Sequence, residues 1–479
     1  DLVHWRQVGN VQQRHHSAHF DEPRHGDGVY APSIRHHDGT YYVYYGDPDF
    51  GIVMSKAPHP EGPWSEPKLI VEAKGWIDPT PLWDDDGQAY LIHAYAKSRA
   101  GVNSLLVLHR MSPDGERLLD EGTVIYDGTL DNPIIEGPKF YKRNGYYYIF
   151  SPAGSVPMGW ETVLRSRDIY GPYETRKVFA QGRTPVNGPH QGAWVELESG
   201  ESWFLHFQDE GSYGRILHLN PMTWTEDGWP VIGLDPDGDG VGEPVLRHHL
   251  PETAAPAGFV AQLTSDEFDV ETDSDADQAQ GQERGLSPQW RWHANWRQEW
   301  FSLNARPGHL RLHAVATSQG ASNLVTMPNT LTQRFPDREF TVTAKFDLSG
   351  LQEGDMAGFG VTGDNYATLE LARAAQGYAI SSITRYQARG TAIRQVLAQE
   401  VVDAANVFLR IEVKDGPLCD LSYSLDGRTF IPMARGFKAS KLRWVGASVG
   451  LYATTSRPAA GGHLDVDWVR FQYTPQNPM

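Results

Sequence analysis

A strand–turn–strand pattern recurs four times in the first half of the chain, and it constrains the fold more than any other feature. The copies are YAPSIRHHDGTYYVYY (Tyr30–Tyr45), IDPTPLWDDDGQAYLIH (Ile77–His93), IEGPKFYKRNGYYYIF (Ile135–Phe150) and PHQGAWVELESGESWFLHF (Pro189–Phe207). Each has a short apolar run, a DG, NG or SG turn and an aromatic-rich strand. Such turns signal hairpins, because type I′ geometry needs positive φ, which Gly and Asn tolerate. The turn glycines Gly39, Gly87, Gly145 and Gly200 are separated by 48, 58 and 55 residues (87−39, 145−87, 200−145). That period accommodates one four-stranded blade per copy, so the repeat predicts a β-propeller.

A second signature closes some blades: EGPWSEP (Glu61–Pro67) and SRDIYGPYE (Ser166–Glu174). The opening DLVHW (Asp1–Trp5) is similar to SRDIYGPY. By repeat register it ends a further blade, whose hairpin would lie roughly 20 residues before Asp1. The expectation is a five-bladed propeller over residues 1–245, with its first blade truncated. After WPVIG (Trp229–Gly233) the composition changes. DPDGDGVGEPV (Asp235–Val245) and PETAAPAG (Pro251–Gly258) read as turn and linker, with the linker set at 246–265. Residues 266–479 carry alternating strands such as EFTVTAKFDL (Glu339–Leu348), VFLRIEVK (Val407–Lys414) and HLDVDWVRFQY (His463–Tyr473). They predict an antiparallel β-sandwich. The acidic segment DVETDSDADQAQGQERG (Asp269–Gly285) reads as an exposed loop.

The bulk properties agree with an all-β, two-domain chain. Its 479 residues exceed one ordinary core, and Gly (48) and Pro (32) supply many turns. A formal charge of −18 disfavours nucleic acid and anionic membrane as partners. No apolar run approaches the ~18 residues of a membrane span. Cys419 is the single cysteine, so no intrachain disulfide forms. A lone thiol fits cytosolic proteins and many bacterial secreted enzymes; an extracellular or periplasmic location is favoured over a cytoplasmic one. The sequence does not specify an oligomeric state.

The turn glycines put the repeats in register. Asp78 lies nine residues before Gly87 and Glu136 nine before Gly145, while His190 lies ten before Gly200 and Ala31 eight before Gly39. Residues at equivalent entries of inner strands converge on one mouth of a propeller. An acid directly before Pro or Gly in an apolar strand is either a turn cap or part of that mouth. Two inward carboxyl groups suit glycosidic bond cleavage, one protonating the leaving oxygen and the other activating water or attacking. Crowding acids on one axis also raises the pKa of at least one.

YAPSIR, IDPTPLWDDDG, IEGPKFYKRNGYYYIFSPAG and NGPHQGAW together resemble glycoside hydrolase family 43, and SPQWRWHANW (Ser287–Trp296) resembles the concanavalin A-like sandwich attached to its β-xylosidases. The resemblance implies an inverting enzyme that needs no cofactor for its chemistry and releases terminal β-D-xylose or α-L-arabinofuranose from hemicellulose oligosaccharides. It makes Glu136 the general acid and Asp78 the acid that tunes and orients it. The third acid, the base, is an Asp on the inner strand of the first blade, expected upstream of Asp1. The alternative is a propeller that binds carbohydrate without hydrolysing it. Asp47 and Asp49 (GDPDFG) read as a turn beyond the Tyr41–Tyr45 strand, with the cleft wall as the other reading.

The resemblance also implies that His190 lies beneath the site near a hydrated central Ca²⁺, the other reading being a core histidine. Arg215, in YGRILHLNPMTW, matches an arginine that reaches substrate near the base; a surface ion pair is the plain alternative. Trp160, Tyr30 and Arg99 are candidates for substrate contact at the cleft wall, although Trp and Tyr also serve cores. DDDG (Asp84–Gly87) reads as a hairpin turn. DPDGDG spaces Asp235, Asp237 and Asp239 like a calcium loop, but the twelfth position is Leu246, so a rigid turn is expected there.

Overall fold

The computed structural model of the chain describes residues 1–252, 263–269, 285–316, 323–388, 391–458 and 461–473. Most of the linker segment Pro251–Gly258 and of the acidic segment Asp269–Gly285 lies outside these residues.

Each repeat opens a four-stranded antiparallel sheet whose strands follow in chain order from the inside outwards. Blade I comprises β1 (Tyr30–His37), β2 (Thr40–Asp47), β3 (Gly51–Ala57) and β4 (Lys68–Glu72). Blade II comprises β5 (Trp76–Trp83), β6 (Ala89–Tyr95), β7 (Leu105–Met111) and β8 (Thr123–Asp127). Blade III comprises β9 (Lys139–Arg143), β10 (Tyr146–Ala153), β11 (Trp160–Ser166) and β12 (Glu174–Ala180). Blade IV comprises β13 (His190–Glu196), β14 (Ser202–Asp209), β15 (Arg215–Trp224) and β16 (Pro230–Ile232). The described residues thus hold four blades. Two of the four predicted turns follow type I′ chemistry: Asp38 and Gly39 have φ of 46° and 73°, and Asn144 and Gly145 have 50° and 73°; in the other two only the glycine is left-handed, Gly87 at 81° and Gly200 at 87°.

Aromatic and aliphatic side chains seal consecutive blades. Tyr42, Tyr44, Ile52 and Met54 of blade I pack with Leu91 and Met111 of blade II. Ile92 and Leu108 of blade II meet Phe140 and Ile149 of blade III. Phe150, Val163 and Phe179 of blade III meet Phe204 of blade IV. Each such fully buried side chain stabilises by about 1.5–3 kcal/mol. The faces that blades I and IV turn away from these clusters carry Ile34 on β1, 51% exposed, and Leu217 on β15, 70% exposed.

Inner strands enter through a common backbone device. Ala31, Asp78 and Gln191 have φ of 32°, 57° and 53°, and Gly137 has 61°. The ladder shifts at the same places, between Tyr30 and Ser33, Ile77 and Thr80, and His190 and Ala193. A bulge there re-aims a side chain towards the axis.

Among the described residues, the second half is a sandwich of two seven-stranded antiparallel sheets, as the alternating strands predict. One sheet centres on Ser448–Thr455, Asp355–Thr362 and Tyr366–Arg373. The other centres on His463–Gln472, Phe340–Asp347 and Asn406–Lys414. Their inner faces share one core that includes Phe346, Phe359, Leu409 and Leu451. The sandwich also touches the propeller half. The Asn295 amide donates to Asp21 Oδ1 at 3.0 Å, and the Ser212 hydroxyl after β14 donates to Ala439 O at 2.8 Å. The Asp84–Gly87 and Asp235–Gly240 segments are the turns expected; Asp235 accepts from the N–H groups of Gly238 and Gly240, both at 2.8 Å.

Gly51 opens β3 at φ +134°, and a Cβ there would lie 2.0 Å from Val71 O. Gly51→Ala is therefore expected to lower unfolding free energy by about 3 kcal/mol, read from urea denaturation.

Candidate active site

Three blade entries meet at one carboxylate. Asp78, buried near the start of β5, accepts from the Gly137 N–H at 2.7 Å and from Gln191 Nε2 at 3.1 Å. Blade II is thereby tied to blades III and IV at the mouth of the propeller. Burial pushes the Asp78 carboxyl above its usual range, while the Lys139 ammonium, Gln191, the Gly137 N–H and Arg215 pull it back.

Glu136 immediately precedes that Gly137. Its N–H donates to Pro152 O at 3.0 Å, and its carbonyl accepts from Ser151 Oγ at 2.6 Å. Two bonds to β10 thus fix the backbone while the side chain stays 23% exposed, with Oε1 3.4 Å from His190 Nε2. Burial, and then the charge of Asp78, raise Glu136 to about 8 against the pull of Arg215. A carboxyl group in that state keeps its proton at neutral pH and can deliver it to a leaving oxygen. His190 is wholly buried and is lowered to about 3 by burial, then by Arg215 and Lys139. It is therefore neutral, and its contact with Glu136 is not an ion pair.

Arg215 starts β15, beside Asp209 in the ladder. Its guanidinium lies 4.5 Å from the Phe207 ring and acts electrostatically on both Glu136 and Asp78. Asp78, Glu136, His190 and Arg215 are thus brought together from three blades.

Residues 1–230 match the model of glycosyl hydrolases family 43, and 281–472 match the beta xylosidase C-terminal concanavalin A-like domain. A candidate beta-xylosidase of Xylanibacter ruminicola is 37% identical over 461 residues, covering 95% of this chain and 79% of that protein. The chain belongs to glycosyl hydrolases family 43. A non-reducing end alpha-L-arabinofuranosidase of Bacteroides ovatus is 27% identical, covering 98% of this chain and 87% of its own. The crystal structure of a xylan beta-1,4-xylosidase from Bacillus halodurans superimposes with a TM-score of 0.82 at 23% identity, covering 99% and 92% of the two chains. That likeness concerns the fold.

The other predicted residues of this family 43 chain fall in different places. Arg99, on the short helix Lys97–Ala100, donates to Asp27 at 2.5 Å and to Asp49 at 3.2 Å. It ties the segment before β1 to the turn after β2. Asp47 in that turn is buried 3.0 Å from His15 Nε2. Tyr30 donates its hydroxyl to Gly26 O at 2.5 Å, and its ring is close enough to act on both Arg99 and Arg215. Trp160 packs in the same apolar cluster as Tyr30. Its ring covers Gly154, and its indole N–H donates to Thr162 at 3.1 Å and Asn132 at 3.3 Å.

Two contributors carry no local sequence signal. Gln191 follows His190 and bonds Asp78, as above. Trp444 belongs to the sandwich: it has φ 68°, is 45% exposed, and lies 5.7 Å from the Arg215 guanidinium. The neighbouring Ala447 N–H donates to Ser212 O at 2.7 Å, which holds this turn against blade IV.

The surroundings of His190 bear on whether a central Ca²⁺ fits there. Both His190 ring nitrogens are buried without a hydrogen-bond partner, yet no group of three or more His, Cys, Asp or Glu placed for a metal occurs among the described residues. Lys139 and Arg215 add positive charge around the ring. This donor set does not fit a directly ligated Ca²⁺.

Proposed function

We propose that this glycosidase releases terminal β-D-xylose or α-L-arabinofuranose from hemicellulose oligosaccharides with inversion at the anomeric carbon. The observation that carries the reading is Glu136, held protonated near neutral pH by burial and by Asp78 at the axial mouth. Glu136 acts as the general acid. Asp78 keeps its pKa high and fixes the Gly137 peptide beside it. Arg215, with Tyr30 near it, binds sugar hydroxyls. Names borne by similar proteins, a beta-xylosidase and a non-reducing end alpha-L-arabinofuranosidase, support both pentoses as substrates.

The ring is read as five-bladed. The exposed Ile34 and Leu217 lie on faces of blades I and IV that a further blade would cover. The catalytic base, an Asp, belongs to that blade's inner strand. It would sit about 6.5–9.5 Å from Glu136, across the sugar, leaving room for the attacking water. The test is proton NMR of p-nitrophenyl β-xyloside and α-arabinofuranoside hydrolysis by the full-length enzyme. Inverted free sugar as first product is expected; retained configuration would overturn the mechanism, and turnover of neither substrate would overturn the assignment.

Trp444 closes one side of the site from the sandwich, which suits an enzyme that accepts a chain end. Trp444→Ala is expected to raise KM for xylobiose roughly tenfold with a much smaller change in kcat, because the ring binds sugar but moves no proton.

A further inference from the structure

His190 and Gln191 are neighbours in the chain, yet each meets a different acid. Both lie at the entry of β13, where the ladder shifts between His190 and Ala193. Gln191 holds φ 53° there, and Gly192 beyond it lies so close to the Phe204 ring that a Cβ would come within 1.9 Å. A bulge of this kind frees a side chain from the alternation of its strand. The His190 ring stands 3.4 Å from Glu136 Oε1, and the Gln191 amide donates to Asp78 Oδ2 at 3.1 Å.

The amide is held on its other side by Gly137. A Cβ on Gly137 would lie 2.7 Å from Gln191 Oε1, so the missing side chain makes room for the amide. The Gly137 N–H reaches the same Asp78 Oδ2 at 2.7 Å. Turning the amide over would set Oε1 against a carboxylate, so its orientation follows from Asp78.

The two acids are served unequally. Burial presses both carboxyl groups towards the protonated form. Against it, Asp78 has Lys139 from β9, Gln191 from β13, the Gly137 N–H and Arg215 from β15. The Lys139 Nζ lies 3.4 Å from Gly137 O and acts on Asp78 by charge. Gln191 is thus the one side chain among the described residues that donates a hydrogen bond to Asp78. Glu136 has Arg215 alone; the His190 ring beside it is neutral and makes no hydrogen bond to it. Crowded carboxyl groups titrate as a pair, and the member that receives more donors stays charged.

We propose that Gln191 is a positioning residue that keeps the shared proton on Glu136: by donating from blade IV to Asp78 Oδ2 it makes Asp78 the carboxylate of the pair and Glu136 the acid. Without that donor the proton spends more of its time on Asp78, where it serves no leaving group. The inference rests on Glu136 being the acid, so Glu136→Gln is measured in parallel.

The experiment follows kcat and kcat/KM against pH for the full-length enzyme on xylobiose, whose leaving group needs a proton, and on p-nitrophenyl β-xyloside, whose leaving group does not. Gln191→Met keeps the length of the side chain and removes the donor. It is expected to lower kcat on xylobiose roughly tenfold, with a smaller loss on the aryl substrate. How the pair divides its one proton does not depend on pH, so the loss should be even between the two limbs of the profile. The basic limb should stay in place or move to higher pH, because Asp78 becomes the weaker acid; Asp78→Asn moves it the other way. In an Asp78→Asn background Gln191→Met should add nothing to the leaving-group-dependent loss, since an amide cannot take the proton. Unchanged kinetics in folded Gln191→Met, equal losses on the two substrates, a basic limb moved to lower pH, or losses that add in the double variant would each overturn the inference. If Gln191→Met does not fold, Gln191→Gly carries the test, because Gly takes the left-handed backbone without strain. It should show the same leaving-group-dependent loss, and a wild-type ratio between substrates would overturn the proposal. If Glu136→Gln itself shows no dependence on leaving group, the acid assignment falls and the inference falls with it. If Glu136→Gln shows the dependence and the Gln191 variants do not, this inference alone fails.

Discussion

Glu136→Gln in the full-length enzyme is expected to cut kcat on xylobiose by about 10²–10⁴-fold, with a far smaller effect on p-nitrophenyl β-xyloside. The amide keeps the shape and the backbone bonds to Pro152 and Ser151 but has no proton to give. The xylose leaving from xylobiose departs as an alkoxide unless protonated, whereas p-nitrophenolate is stable by itself. Steady-state kinetics on the two substrates, with circular dichroism as a folding control, reads the result. Equal losses on both would remove Glu136 from the role of acid.

Asp78→Asn is expected to lower turnover roughly tenfold to a hundredfold. It should also move the basic limb of the kcat/KM profile to lower pH. The sign follows from the charges: Asp78 opposes ionisation of Glu136 and helps to hold it at about 8, so a neutral Asn lets Glu136 lose its proton earlier. Thermal stability should not fall. Burial raises the folded-state pKa of Asp78, so its charged form works against folding at neutral pH, and Asn can still accept from Gly137 and Gln191. An unchanged pH limb with wild-type turnover would remove Asp78 from the site.

Much of this arrangement was legible because hairpin chemistry is local. Asp38-Gly39 and Asn144-Gly145 dictate their turns by themselves, and counting back from them put Asp78, Glu136 and His190 at equivalent entries. The fold brings these three together with Arg215. Trp160 shows the limit: a Trp at the start of a strand reads the same whether it meets substrate or only covers Gly154 and bonds Thr162. Gln191 and Trp444 were silent in the sequence for a common reason. Each acquires its role from a surface contributed by another blade or by the sandwich, and no period along the chain encodes which faces meet.

The left-handed entry of the inner strands also fixes how this propeller can change over generations. Three non-glycine residues, Ala31, Asp78 and Gln191, hold that backbone, and it disfavours β-branched side chains while admitting Asn and Gly readily. For the Asp codon at position 78, Asn and Gly are single-nucleotide steps, as is Ala, which holds the same backbone at position 31. The mutational neighbourhood of the reactive protein therefore contains folded, sugar-shaped and markedly slower versions of itself at a distance of one base. Lineages of this architecture can take a step from cutting a glycan towards merely holding it without crossing an unfolded intermediate.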